Sequence, residues 1–419
     1  MDNLSHGLVG MATGELIHRC LPPETDTGMH GQRRRLLLVT GLLSASFPDL
    51  DLVLTPLLPP PLGYLLHHRG HTHTFLYLLP QALLLAALLT LLWPSARRLL
   101  LQSRTAVTGF CLSLAAGLVL HILMDFLNSY GIHPFYPFDP GWYYGDMIFI
   151  IEPVFWVAFG VPLLMMVRRR WLRLAGMAVL AGALVYFTLR GFLLWQSLAM
   201  LAFTGAVLAL VQYRSAGRSV AGILTGLAAA LVFIGAQALA SHEARQVLAS
   251  QLQVLEPDTQ VLDAAMTAFP TNPACWMFAS IERSGEHYRA RRGVLSILPA
   301  SVAASDCPAA FAAVPPELQD DYSPVAVLFT HRSDLQDLQR LYEQDCHFRA
   351  WMRFARIPAH RGGQAEDIRY ARTEENFTAI DLDSRAAMAC PDNVPQWGVP
   401  RMDLLQPAVT GKQEPRKGL

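Results

Sequence analysis

The chain has no excess of charge of either sign. Lys plus Arg and Asp plus Glu number 33 each, so the formal net charge is zero, and no global field favours a nucleic-acid partner. Its six cysteines include no Cys-x-x-Cys pair, which argues against a zinc ribbon. It has neither a Gly-x-Ser-x-Gly elbow nor a phosphate-binding P-loop, which disfavours an α/β-type serine hydrolase and a P-loop nucleotide hydrolase. Met1 to His6 carries no basic region and no small-residue cleavage site, so no removable signal peptide is expected. Internal repeats and low-complexity tracts are absent. Polar groups stand at the ends of apolar runs instead of at mid-run, unlike the pattern of a transporter built from repeated halves.

Long apolar runs are abundant. Leu, Ala, Val, Ile and Phe dominate residues 36–240, whereas residues 241–419 have an ordinary mixed composition. The reading is a polytopic α-helical membrane domain over 1–240, followed by a small soluble α+β domain over 241–419. Six clear spans are expected, at Thr74–Trp93, Ala106–Leu127, Met147–Val167, Leu172–Leu189, Phe192–Val211 and Val220–Ala240. With the shorter Leu4–Cys20 and Leu36–Ala45 the total is about eight membrane segments. Gly7, Gly10, Ala12 and Gly14 give the first of these a small-residue face suited to close packing. Leu21–Arg35 reads as a loop. Arginines cluster at Arg33–Arg35, Arg97, Arg98 and Arg104, Arg168–Arg173, and Arg214 with Arg218. These are alternate loops, and the positive-inside rule makes them cytoplasmic. Loops 48–73 and 128–146, the turn at Arg190 and the tail are then outside.

In the tail a helix is expected at His242–Leu255, with a hairpin of Trp276–Glu282 and His287–Arg292. Extended segments are expected at Val325–Thr330 and Phe348–Ile357, and a second hairpin around Glu374-Glu375-Asn376. Gln413–Leu419 reads as disordered. Cys20 and Cys111 read as inert core residues. Cys275, Cys307, Cys346 and Cys390 could form two disulfides in an exported domain, with the pairing open.

The chemistry gathers in polar knots on the outer side. His67-His68-Arg69-Gly70-His71-Thr72-His73 puts four imidazoles and a guanidinium in seven residues, which is costly to bury unless charge is held there. His68 and His73 are the chosen metal ligands, Arg69 the electrophile toward an anionic substrate, and Gly70 the residue that permits the turn. Anchoring at the headgroup level is the plainer role, but Trp, Tyr, Lys and Arg serve it more often. His121 and Asp125, four apart, share a helix face suited to a metal; a bundle-stabilising hydrogen bond is the alternative. Asp49 and Asp51 could divide the work, one ligating and the other bridging or orienting a histidine, although such acids are commonly just solvated. His6 and Asp146 complete the candidate metal set, and Asp146 and Glu152 would not share a helix face. Trp142, Tyr143 and Tyr144 read as an aromatic belt.

Met1-Asp2-Asn3-Leu4-Ser5-His6, Phe47-Pro48-Asp49-Leu50-Asp51, His67-His68-Arg69-Gly70-x-Thr72-His73 and His121-x-x-x-Asp125 carry a resemblance. In that order they resemble the signature of bacterial inner-membrane metal-dependent hydrolases, the LexA-binding, membrane-associated hydrolase family. Asn128-Ser129-Tyr130-Gly131, Asp146-x-x-Phe149-Ile150-Ile151-Glu152-Pro153 and Pro270-x-Asn272-Pro273-x-x-Trp276 are similar to its longer members. A fainter likeness is to zinc-dependent phospholipase C and related nucleases. His6, Asp49, His73, His121 and Asp125 follow the order of that metal set, but its later His-x-x-x-Glu has no equivalent here. The likeness therefore implies one or two ions instead of three.

The expectation is a membrane-embedded metal-dependent hydrolase of a bacterial inner membrane, with its tail on the periplasmic side. Its cofactor is a divalent ion, zinc by preference, which brings the pKa of water toward about 7. Asp51 or Asp125 would accept the proton, with Arg69 neutralising developing charge. The substrate would be a phosphoester or other ester of a lipid or envelope component, and membrane lipids the surroundings. No nucleic acid is expected. The alternative is a non-catalytic membrane scaffold with a structural metal and a tail that binds a protein partner.

Overall fold

The structure, a computed structural model, describes residues 1–24, 26–215, 219–308, 310, 314–315, 323–371, 376–385 and 387–406. Arg218, the turn at Glu374-Glu375 and the stretch Gln413–Leu419 lie outside the described residues. The helical part runs α1 (Asn3–Cys20), α2 (Thr27–Ser46), the short α3 (Asp51–Leu54) and α4 (Leu62–His67), then α5 (Phe75–Leu92), α6 (Pro94–Gln102) and α7 (Arg104–Phe126). After a loop come α8 (Pro153–Met165), α9 (Arg170–Leu189), α10 (Trp195–Arg214) and α11 (Ala221–Leu255).

Five of these, α5, α7, α9, α10 and α11, are long and apolar enough to cross a membrane. A sixth arises if α2 and the segment Pro48–Leu57, bent by 54°, form one broken span. Helices occupy all of the expected segments, but α8 has only 13 residues and α1 buries His6, Glu15 and His18. Leu79, Leu83, Leu91 and Leu92 on α5 and Leu231, Val232 and Leu239 on α11 are exposed, as side chains facing lipid must be.

The small-residue face of α1 packs on α2 almost backbone to backbone. A Cβ at Gly10 would stand 2.1 Å from Gly41 O, so no side chain fits there. The expected loop Leu21–Arg35 is largely helix: α2 starts at Thr27, capped by Asp26, whose carboxylate accepts from Met29 N. Two of the three arginines inside α2 are neutralised locally. Arg33 is buried against Glu24 and the Pro22 carbonyl, and Arg34 reaches Glu15. Cys20 and Cys111 are exposed and not core residues; each sits on an outward face of its helix.

The tail contains an antiparallel sheet in the order β1 (Gln260–Phe269), β2 (Asn272–Ser284), β3 (His287–Ser296) and β4 (Val325–Asp334). The β2–β3 hairpin closes at Ser284 and His287, as the Arg283-Ser284-Gly285-Glu286 signal predicts. Next come α12 (Leu335–Gln344), α13 (Cys346–Trp351), a second sheet of β5 (Pro358–Arg361), β6 (Gln364–Asp367) and β7 (Ile380–Asp381), and α14 (Met402–Leu405). Phe348–Ile357 is therefore not extended. Its start lies in α13, where the Asp345 carboxylate caps the N–H groups of His347 and Phe348. Disulfides join Cys275 to Cys307 and Cys346 to Cys390.

The two parts of the chain are fused. The helix expected at His242–Leu255 is the far end of α11, which passes residue 240 unbroken. Ala240, Ala244, Leu248 and Leu252 pack on Met266, Trp276 and Phe278 of the sheet. On the other side, Leu62, Leu65, Leu66 and Tyr130 share one apolar core with Ile281, Tyr288, Trp351 and Phe354. Gly191 accepts a hydrogen bond from Ala310, and Ser197 donates to the Thr271 carbonyl. Loops 48–73 and 128–146 and the turn at Arg190 thus lie at one end of the bundle, under the tail.

His133 in the second of these loops is buried between Trp142 and Trp397, with ring centroids 4.3 and 4.0 Å away. Burial, helped by the nearby His73, lowers its pKa from 6.5 to about 3. The folded state therefore favours neutral His133, and this stability is present above about pH 6.5 and lost as pH falls toward 3. Acidification from pH 7 to 4 is expected to weaken the tail–loop contact by up to about 3 kcal/mol. His133→Phe should flatten that loss in thermal unfolding; an unchanged pH profile would refute the assignment.

Candidate metal centre

The knots expected at the outer ends of the helices converge beneath the tail. Asp49 is in the 3-10 turn Pro48–Leu50, and Asp51 begins α3, so the two acids stand on a helical corner and not in an extended turn. His121 and Asp125 come from the last turns of α7, and His73 precedes α5. Asp49, His73, His121 and Asp125 offer buried donor atoms all within 4.8 Å of one another. Asp49, Asp51 and His68 form a second such group. Asp49 belongs to both, an arrangement with donors for one or two ions.

Hydrogen bonds fix which atoms face inward. His121 Nδ1 lies 2.6 Å from the Ala45 carbonyl, which can only accept. That nitrogen carries the proton, and Nε2 turns its lone pair inward. His73 Nδ1 meets Thr72 Oγ1 at 3.0 Å, and the hydroxyl donates to Asp51 Oδ2 at 2.7 Å. The His73 Nε2 lone pair is thereby also directed inward, 3.0 Å from His121 Nε2. Asp125 Oδ2 lies 3.1 Å from His73 Nε2 and 3.6 Å from His121 Nε2, yet is buried with no hydrogen-bond partner. Asp49 Oδ1 stands 3.5 and 3.6 Å from the same nitrogens.

Two lone pairs and two carboxylates converging in a buried space repel unless a cation joins them. Without one, the proton is the available cation. Burial disfavours charge on His73, but the adjoining carboxylates of Asp125 and Asp49, which favour a protonated ring, outweigh it and raise the pKa to about 9. The donor set of two imidazoles with carboxylates fits a divalent metal such as zinc.

The other expected residues divide. His6 packs face to face on His121, with ring centroids 4.0 Å apart, and its Nε2 lies 3.2 Å from Asp125 Oδ1. It stands at the centre but in neither donor group. His68 Nδ1 bonds Asp51 Oδ1 at 3.0 Å. Asp51 also accepts from Arg69 N and Thr72, so it orients the histidines and is not a free base. His67 and His71 are in neither donor group; His71 packs on Tyr77, Tyr136 and Trp397.

Arg69 departs from its expected role. It is 2% exposed, and its guanidinium donates to Asp125 Oδ1 at 2.9 Å, Asn128 Oδ1 at 3.0 Å and the Asp125 carbonyl at 3.3 Å. Its ring contact with Tyr130, 4.8 Å to the centroid, completes the enclosure. Arg69 positions Asp125 and is not poised toward a substrate. The Met1 amino group also reaches Asp125 Oδ1. The turn's left-handed residue is Arg69 itself, at φ 57°. Gly70 is required for another reason, since a Cβ there would meet the His67 carbonyl at 2.8 Å and Trp397 at 3.3 Å.

Asp146 leaves the metal set altogether. Arg356 clasps both of its oxygens at 2.9 Å, and Arg245 joins them. Glu152 accepts from Thr271 N and Oγ1 and from Val154 N. The supposed aromatic belt serves the tail as well: Trp142 Nε1 donates to the Arg353 carbonyl, and Tyr144 lies under Arg356. Asn128 and Thr72 are the site residues that sequence reasoning missed. Both stand inside quoted motifs, which was the available signal.

Residues 1–196 match the family model described as YdjM inner membrane protein. That match covers just under half of the chain, and over it the chain is similar to the YdjM inner membrane proteins. The matched region holds every donor of the centre and ends before the tail begins. The chain is also 27% identical over 158 residues to YfhP of Bacillus subtilis (strain 168), described as an uncharacterized protein. That match spans 38% of this chain and 44% of YfhP. No solved structure matches.

Proposed function

We propose that the protein is a membrane-embedded metal-dependent hydrolase acting on a phosphoester, or another ester, of a lipid or envelope component at the outer face of the inner membrane. The observation that carries the reading is the inward convergence of His73 Nε2, His121 Nε2 and Asp125 Oδ2, the last without a hydrogen bond. Asp49, His73, His121 and Asp125 would hold one ion, with Asp49 shared toward Asp51 and His68 for a second. A divalent ion there, zinc by its donor set, supplies Lewis-acid polarisation of a phosphoryl or acyl oxygen and makes water more acidic. The chain's own contribution is orientation. Ala45 and Thr72 set the tautomers, Asp51 steers His68 and His73, and Arg69 holds Asp125. The likeness to zinc-dependent phospholipase C favours a phosphoester.

The outward placement of the tail is supported by its two disulfides, which persist in oxidising compartments, and by the positive-inside rule. A non-catalytic scaffold is the second reading. It is favoured by the complete burial of His73, His121 and Asp125, since structural metal sites are closed. An open coordination position would decide for the hydrolase.

Metal analysis of detergent-purified protein tests the centre. Wild type is expected to carry one or two divalent ions and His121→Ala to lose them. Equal metal content in the two would remove the claim.

A further inference from the structure

Between α2 and α4 the chain shows two opposite faces within a few helical turns. Pro48 cannot continue the hydrogen bonding of α2, and the segment Pro48–Leu57 swings 54° off that helix's axis. Asp49, Asp51 and Thr55 are buried on one side, where the two acids belong to the donor groups of the metal centre. Leu50, Val53, Leu54 and Leu57 are exposed by 52, 70, 62 and 80%. Spaced at i, i+3, i+4 and i+7, these four form one stripe of a helix. A single exposed leucine is ordinary on any protein surface. Four such residues on one face, in a segment without Lys, Arg or Glu, make an apolar patch that calls for a partner.

Depth identifies the partner. The span α7 places His121 about 22 Å past Ala106, where its uncharged stretch begins. The hydrocarbon layer is about 30 Å thick, so His121 stands below the edge of that layer nearest the tail. Asp49 Oδ1 is 3.6 Å from His121 Nε2, which brings the start of the segment to the same level. A second tie runs to the span α5: Asp51 Oδ2 accepts from Thr72, whose carbonyl accepts from Gln81 at 2.8 Å. The stripe thus borders faces already turned to lipid, with Leu43 on α2 before it and Leu76 and Leu79 on α5 beside it. On the tail side the centre is roofed, since Leu62, Leu65, Leu66 and Tyr130 pack into the core shared with the tail.

We propose that Pro48–Leu57 is a membrane-embedded wall of the metal centre. Acyl chains of the tail-side leaflet cover Leu50, Val53, Leu54 and Leu57, while Asp49 and Asp51 serve the centre from the same turns. Lipid contact there requires neither metal nor catalysis and goes beyond the hydrolase reading. Its consequence is that one layer of helix separates the donors from the bilayer.

The test uses the full chain in phosphatidylcholine vesicles, with Cys20→Ser and Cys111→Ser and the tail disulfides intact. A nitroxide is attached at Val53→Cys or, separately, at Leu57→Cys. Leu83→Cys on α5 is the lipid reference and Arg332→Cys on β4 the water reference, both at exposed positions. Power saturation reads collision with oxygen, which concentrates in lipid, and with nickel–EDDA, which stays in water. Labels at Val53 and Leu57 are expected to match Leu83, with strong oxygen contact and loss of the nickel contact found at Arg332. Two positions are used so that a fold lost at one leaves the other to decide. Nickel contact equal to that at Arg332 would overturn the proposal and put the stripe in water. Weak contact with both reagents would overturn it in favour of a protein cover, such as a second copy of the chain. His121→Ala should lose metal and keep the Val53 pattern, so either reading can fail while the other stands.

Discussion

After treatment with a chelator, Arg69→Ala is expected to be about 3 kcal/mol less stable than wild type, the lower end of what removing one partner of a buried ion pair costs, because the Met1 amino group still reaches Asp125 Oδ1. The residue it abandons is Asp125, fully buried, whose Oδ1 loses its guanidinium partner. Asn128 Oδ1 and the Asp125 carbonyl lose donors as well. Arg69→Lys should recover only part of the loss, because one ammonium cannot reach three acceptors arranged for a planar fork. Backbone conformation supplies an internal check. Arg69 is left-handed, at φ 57°, a region that glycine enters more easily than alanine by about 1 kcal/mol. Arg69→Gly should therefore melt above Arg69→Ala although both lack the side chain. A chelated Arg69→Ala that melts with wild type would return Arg69 to the substrate-facing role expected from its motif.

Asp146→Asn is expected to loosen the tail by about 3 kcal/mol while leaving metal content at the wild-type level. Arg356 binds Asp146 and Asp263 together, with N–O distances of 2.8–3.0 Å, so the neutral amide would leave a buried guanidinium half-compensated. Faster proteolysis of the tail would report the loss. Full retention of the metal would confirm that Asp146 ties the 128–146 loop to the tail. Loss of metal with a firmly docked tail would restore the ligand role that its motif suggested.

The donor set was legible because its residues stand where apolar runs end. His121 and Asp125 repeat at helical spacing, and Asp49 and His73 interrupt leucine-rich stretches that gain nothing from them. The architecture was legible for a related reason, since hydrophobic length marks helices well. What escaped depends on side-chain direction. Nothing in His67-His68-Arg69-Gly70 says that Arg69 turns inward to Asp125 or that it, and not Gly70, takes the left-handed position. Asp146 resembled a ligand because its true partners, Arg245 and Arg356, lie about 100 and 210 positions away. Phe348–Ile357 looked extended because a short aromatic run fits a buried helix as well as a strand; the cap at Asp345 was the overlooked cue. The tail's attachment was invisible for the same reason as Asp146. Leu62, Leu65 and Leu66 have the composition of a membrane-proximal loop, and only the fold reveals that they share a core with the tail.

The helix that runs from Ala221 to Leu255 without a break is about 52 Å long at 1.5 Å per residue, against a hydrocarbon layer of about 30 Å. Roughly 20 Å of rigid rod therefore stands clear of the lipid, with the tail sheet clamped along it and the loops of the metal centre gripped beneath. A thicker or thinner bilayer, or a change in the tilt of that rod, moves the sheet as a lever moves its load.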